Sequence, residues 1–201
     1  MTKSPKLFQW MPTLFLGASL LLLSGCATTA PQAKFTQALA PASRVAAGDE
    51  TKVVVTAQGE AAMLDVEKSR LAQRIEQKVG AKKLLNPANP GKAAYEIEVV
   101  VTRYEKGNAF ARAMLAGLGQ IHVDGLVSLF TVPERKKVGE FAIKKTFAWG
   151  GLYGGTTTME DVEIGFADGI AATLTGQKED APKDKATPPS AGDKPSASTG
   201  A

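Results

Sequence analysis

Two short patterns carry the residue types that acid–base chemistry uses. His122, the single histidine, stands two residues before Asp124, so on an extended strand both side chains share a face. A histidine–carboxylate pair of that kind could move protons. Glu96 and Glu98 have the same spacing, and paired carboxylates are what glycoside hydrolysis uses. Neither pattern is joined by a serine or cysteine nucleophile motif, and a solvated strand face is made of just such residues. The plainer reading of both is an exposed or satisfied histidine and a polar strand face. One histidine, one cysteine and no EF-hand spacing leave no recognisable metal-ligand set. The glycines form neither a phosphate loop nor a dinucleotide fingerprint. No catalytic residue, no metal and no dissociable cofactor is expected, and the chain reads as a non-enzyme.

Cys26 points to a different chemistry. Lys3 and Lys6 open the chain without an acidic residue, and an apolar run from Leu14 to Leu23 follows. That run is too short for a bilayer core, which takes roughly 20 apolar residues in a helix, and it has the layout of a secretory signal. Leu23-Ser24-Gly25-Cys26 then resembles the lipobox of bacterial lipoproteins. The resemblance implies removal of residues 1–25 and a covalent diacylglyceryl and N-acyl lipid on Cys26, an attachment that acyl burial makes effectively permanent. The alternative is an ordinary secretory signal with a chance cysteine. Ala27, rather than Asp, follows the cysteine, which by resemblance to lipoprotein sorting favours an outer membrane, facing the periplasm. A sole cysteine also excludes an internal disulfide. Losing Lys3 and Lys6 with the leader takes two charges from the formal +4, so the basic precursor argues little for nucleic acid.

Residue types that grip partners cluster in two places. In Trp149-Gly-Gly-Leu-Tyr-Gly-Gly155, Trp149 and Tyr153 could anchor a protein, peptide, glycan or membrane surface, because aromatic residues are enriched at interfaces. The same glycines could instead serve only a close approach of backbones. The stretch Arg103 to Gln120 joins two strands yet is mostly small and apolar. Its 109–118 portion reads as a short amphipathic helix tucked under the sheet, the favoured reading, or as a lip that faces a partner. Arg103 and Arg112 could bind anionic groups or form structural ion pairs.

These residues need a frame. Residues 26–50, the lipidated cysteine and a stretch rich in Ala, Thr, Pro and Gln, read as a flexible linker with a reach of roughly 25–30 Å. Residues 177–201 contain no large apolar side chain and read as a disordered tail. Between them, 51–176 suits one domain. Thr51 to Thr56 is a buried strand, and residues 61–80 a helix with Leu64, Leu71, Ile75 and Val79 on one face and Gly80 as its stop. Ala94 to Thr102 alternates as a half-buried strand. Ile121 to Val132 and the strand of Phe141, Ile143, Lys145 and Phe147 form an antiparallel hairpin about a polar turn, Pro133 to Gly139. Thr157 and Glu160 have capping-box spacing ahead of a last helix, with Val162, Phe166, Ile170 and Leu174 in one stripe and Gly176 at its end. The order β-α-β-β-β-α predicts an α+β fold, a small, mostly antiparallel sheet with two helices packed on one face.

Gly107-Asn108, Arg112, the small-residue run Leu115 to Gly119, the hairpin, and Gly150-Gly151 with Gly154-Gly155 before a closing helix form a wider pattern. In these the chain resembles an uncharacterised bacterial lipoprotein family, domain of unknown function family 4410, over roughly residues 51–175. The resemblance implies the same fold class and an envelope location, adds Asn108 to the candidate contact residues, and supplies no activity. The hairpin turn departs from the family's usual Asp-x-x-Thr-Gly type. The function expected is therefore a non-catalytic, lipid-anchored envelope module working through contact with an envelope protein. A binder of a small ligand, lipid or glycan, and a cell-wall hydrolase using Glu96, Glu98 or His122, are the alternatives.

Overall fold

The alternating residues predicted as strands assemble into one five-stranded sheet in the order β1-β5-β4-β3-β2. The structure is a computed structural model describing residues 32–59, 61–86, 92–115, 118–148 and 151–180. Along the chain, β1 (Gln32–Gln37) and β2 (Glu50–Ala57) precede α1 (Asp65–Lys83) and β3 (Ala94–Glu105). Then come α2 (Ala109–Met114), β4 (Ile121–Thr131), β5 (Lys137–Phe147), α3 (Gly151–Thr156) and α4 (Met159–Thr175). β2 and β3 run parallel, joined through α1, and the other neighbours are antiparallel. The fold is α+β with a mostly antiparallel sheet, as the sequence predicts.

Alternation decides which face is covered. Tyr95, Ile97, Val99 and Val101 of β3 and Val123, Val127 and Leu129 of β4 are buried beneath α1 and α4. A bulge between Val101 and Arg103 resets the alternation, so Tyr104 also points inward. From above come Leu71, Ile75 and Val79 of α1 and Phe166, Ile170 and Leu174 of α4, all fully buried. Gly125 makes room for the Phe166 ring, since a Cβ there would lie 3.2 Å from that ring's Cζ. Burial of such a phenylalanine contributes on the order of 2–3 kcal/mol.

Five sequence expectations need correction. The flexible linker expected over 26–50 is overturned from Gln32 onward, because the sheet begins there. β1 is mostly polar and joins an edge through its backbone, with Phe35 against Phe141 at 5.5 Å and the Thr36 hydroxyl donating to Glu140 Oε1 at 2.8 Å. Beyond it, Val45 and Ala46 are buried, and the Asp49 carboxylate accepts from the Ala46 and Ala93 amides at 2.8 and 3.0 Å. The disordered tail expected from 177 is likewise overturned for Gln177–Asp180. Gly176 ends α4 in the left-handed region, but Gln177–Asp180 fold back, with Asp180 N donating to Asp168 Oδ2 at 2.7 Å.

α1 runs through Gly80 to Lys83, since a helical glycine costs only about 1 kcal/mol when its neighbours stay packed. Leu64, expected on the apolar face, is the exposed residue ahead of that helix. Finally, the capping box of α4 is Thr158 with Asp161, one residue later than predicted. The Thr157 carbonyl accepts from the side chain of Arg112 at 2.9 Å.

Candidate interaction site

The residues predicted for acid–base chemistry lie on the sheet face that carries no helix, where each has a partner. Glu96 and Glu98 both accept from the guanidinium of Arg135, which reaches over from the β4–β5 turn and sits 5.1 Å above the Phe130 ring. His122 and Asp124 share that face, but the neighbouring strand engages them separately. His122 Nδ1 is 3.0 Å from Thr146 Oγ1, while Asp124 lies 3.9 Å from Lys144 Nζ. Burial, reinforced by Arg103, pushes the His122 pKa below its ordinary value, so the ring is neutral at pH 7. Among the described residues no group of three His, Cys, Asp or Glu side chains could hold a metal ion.

Charge is concentrated instead between α1 and α4, where periodicity predicts only apolar contact. Glu163 is fully buried. Its carboxylate accepts from Arg70 Nε and Nη2 at 3.0 and 2.9 Å, from Arg74, and from the Tyr104 hydroxyl at 2.6 Å. Burial and the adjacent Glu163 charge both push the Tyr104 pKa up. Further along, Lys78 and Lys82 each lie 3.2 Å from Asp168 and bind Asp180 at 2.7 and 2.8 Å. Those two ammonium groups hold the Asp180 carboxyl well below the usual range. Both oxygens of Glu163 are saturated, so this carboxylate fastens the two helices.

The segment between β3 and β4 has the opposite character. Gly107 and Gly119 adopt positive φ and press together: a Cβ on Gly107 would fall 2.2 Å from the Gly119 carbonyl, and one on Gly119 would fall 2.3 Å from that of Asn108. Asn108 closes this clasp, donating its amide to Gly119 O at 3.2 Å and capping α2 through Oδ1, which accepts from Ala111 N at 2.9 Å. Arg112, only 3% exposed, fills the centre. Its guanidinium donates to the carbonyls of Gly119 at 2.7 Å, Gly154 at 2.9 Å and Thr157 at 2.9 Å, tying α2 to α3 and to the loop before α4. A Cβ on Gly155 of α3 would touch Ala113 at 3.1 Å, so the two short helices are in close contact.

On this frame Phe110, Met114, Leu115 and Leu118 point outward, 54–72% exposed. Burial of 109–118, the favoured sequence reading, is therefore overturned for these four. The clasp turns the Arg112 side of α2 inward, and a six-residue helix between two glycines cannot also send its other side to the core. The predicted contact residues separate accordingly. Arg112 is an internal brace and Asn108 a helix cap, while Arg103 is engaged by Glu105 through two bonds of 2.8 and 2.7 Å. Tyr153 belongs to α3, but its side chain, like Trp149 and Cys26, lies outside what is described. The alternative reading of 109–118 as a partner-facing lip covers these four exposed apolar residues, though none was named as a contact residue. Their spacing, opposite Arg112, was the available signal.

The chain belongs to the family of the domain of unknown function DUF4410, which matches residues 36–151. The match takes in the whole lip and stops before α4, so it starts and ends earlier than the resemblance suggests. No curated protein matches the chain. Among solved structures, two of the PelC dodecamer from Paraburkholderia phytofirmans are similar at 13% identity, with TM-scores of 0.46 and 0.48. They align over 72% and 74% of this chain and 97% and 99% of theirs. Protein XCC0632 from Xanthomonas campestris, of family DUF330, is 13% identical over 72% of this chain and 89% of its own, with a TM-score of 0.38.

Proposed function

We propose that this DUF4410 protein is a lipid-anchored, non-catalytic module of the cell envelope, held at the outer membrane by acyl chains on Cys26 and working through contact with an envelope protein. The observation that carries the reading is the shortness of the tether. From Cys26 the chain reaches the first residue of β1 at Gln32. Even fully extended that stretch spans about 20 Å, so a lipid on Cys26 would keep the domain against the bilayer. The lipobox-like Leu23-Ser24-Gly25-Cys26 supports the same reading. Against catalysis stands the engagement of Glu96 and Glu98 by Arg135 and of Asp124 by Lys144.

The test is labelling with radioactive palmitate in cells, followed by fractionation and cross-linking. The expected result is label on the wild-type chain in the membrane fraction, lost together with the membrane association in Cys26→Ser. A cross-linked envelope protein should appear with the anchored form alone. An unlabelled, soluble wild-type chain would remove the anchor from the account, and a labelled chain that enriches no protein would remove the partner.

A further inference from the structure

We infer that the end of the sheet bearing α2 is seated on the bilayer itself, with Phe110, Met114, Leu115 and Leu118 entering the boundary between headgroups and acyl chains. The inference rests on the reading of Cys26 as the lipid-bearing residue and goes beyond it by assigning a surface and an orientation.

Strand directions supply the argument. β3 ends, β4 begins and β5 ends at one edge of the sheet, because Glu105 pairs with His122 and Ile121 with Phe147. β1 enters the sheet at that same edge, Gln32 lying opposite Lys144. Lys144 precedes the last residue of β5 by three positions, about 10 Å of strand. The segment from Cys26 therefore arrives beside the exposed apolar residues, and a tether of about 20 Å cannot carry them far from the lipid that ends it.

The first turn of α1 belongs to this end too. Leu64 and Val66 are 63% and 65% exposed, and Lys106, just before the clasp, reaches Glu67 at 2.8 Å. Six exposed apolar side chains thus gather where the anchored chain enters. Past α4 the described chain folds back, with Lys78 and Lys82 holding Asp180 beside Asp168 in the middle of that helix.

Apolar side chains rooted in a firm frame are what an interfacial surface needs. They enter the boundary region by roughly 5–10 Å without a spanning segment. No helix among the described residues is long and apolar enough to cross a membrane. A bilayer needs no matching pocket in a partner, and the clasp of Gly107, Gly119 and Arg112 keeps the four residues outward whether or not anything covers them.

The experiment uses the full lipidated protein in vesicles of phosphatidylethanolamine and phosphatidylglycerol. With Cys26 acylated, Phe110→Cys or Leu85→Cys provides the one free thiol for an environment-sensitive fluorophore, and Met114→Cys repeats the first site should Phe110→Cys misfold. The Phe110 label should emit in the blue and lose most of its intensity to nitroxide-bearing lipids, whereas the Leu85 label, at the far end, should behave as in water. Three results would overturn the seating. Water-like emission from both sites in a palmitate-labelled protein would do so with the anchor intact. Blue emission without quenching by lipid would show the lip covered by a second copy. Absence of palmitate would remove the anchor and the seating with it.

Discussion

The α1–α4 seam and the α2 lip break the usual division of polar and apolar residues in opposite ways. In the seam a glutamate is completely buried, and in the lip four large apolar side chains stand in water. At Glu163 the seam has exhausted its interactions, for that carboxylate receives four hydrogen bonds from Arg70, Arg74 and Tyr104. The lip has not, for its polar groups are satisfied within the clasp while its apolar surface lacks a cover. A buried, saturated charge marks a place that holds the fold together. An exposed apolar stripe on a rigid backbone marks a place prepared for something outside.

Substitutions should separate the two regions. Glu163→Ala, which leaves two guanidinium groups and a phenol without their common acceptor, should cost about 3 kcal/mol in urea unfolding. That is the low end for a broken buried pair, because Arg70 and Arg74 are partly exposed and can turn to water. A loss below about 1 kcal/mol would put the seam among ordinary surface ion pairs and erase the contrast.

Gly119→Ala should come next, at about 2 kcal/mol, from a left-handed backbone and a Cβ driven into the Asn108 carbonyl. Its damage should stay local, visible as faster amide exchange in 107–120 with the seam still protected. Equal loosening of α1 and α4 would show that clasp and seam are one cooperative unit. Asp180→Asn should cost about 0.5–1 kcal/mol, given that its carboxylate is 58% exposed.

The double variant Phe110→Ser with Leu118→Ser should change stability by less than about 0.5 kcal/mol, because neither side chain is packed. Its effect should appear only where the lip meets lipid, as weaker retention of the protein on vesicles. A destabilisation like that of Glu163→Ala would mean that the lip is part of the core after all.

Acidification sharpens the same comparison. The His122 pKa lies below 6.5, so below that pH the unfolded chain takes up a proton that the folded chain declines, and stability falls. The Asp180 and Glu140 pKa values are depressed by ion pairing, first with Lys78 and with Lys137 respectively. Their contribution is complete above the ordinary values of 3.8 and 4.5 and is lost as pH falls through the folded ones. Urea midpoints across pH 3–8 should therefore be level near neutrality and decline on the acid side. A midpoint that rises on acidification would contradict all three assignments.

Much of the frame was legible. Strict alternation in Ala94 to Val101 and the spacing of Leu71, Ile75 and Val79 record one buried face each, and such patterns survive any choice of neighbours. β1 was not legible, because QAKFTQ at a sheet edge needs only backbone pairing and shows a single large apolar side chain. The site was legible in outline only. The glycines and Arg112 marked an unusual segment, but type alone cannot say that a guanidinium will go to carbonyl oxygens. Nor can the composition of 109–118 say which side of so short a helix faces out. That depends on Gly107 meeting Gly119, a contact across the loop that no local period encodes.

The antiparallel pairing of β1 with β5 also has a mechanical meaning. Tension on the segment preceding Gln32, directed out of that end of the sheet, runs along the axis of β1. The ladder that joins five residue pairs to β5 is then sheared, with its bonds sharing the load. A strand entering crosswise would unzip one bond at a time. An edge strand that contributes little to the core can in this way act as a strain-bearing strap between the domain and whatever restrains its N-terminal side.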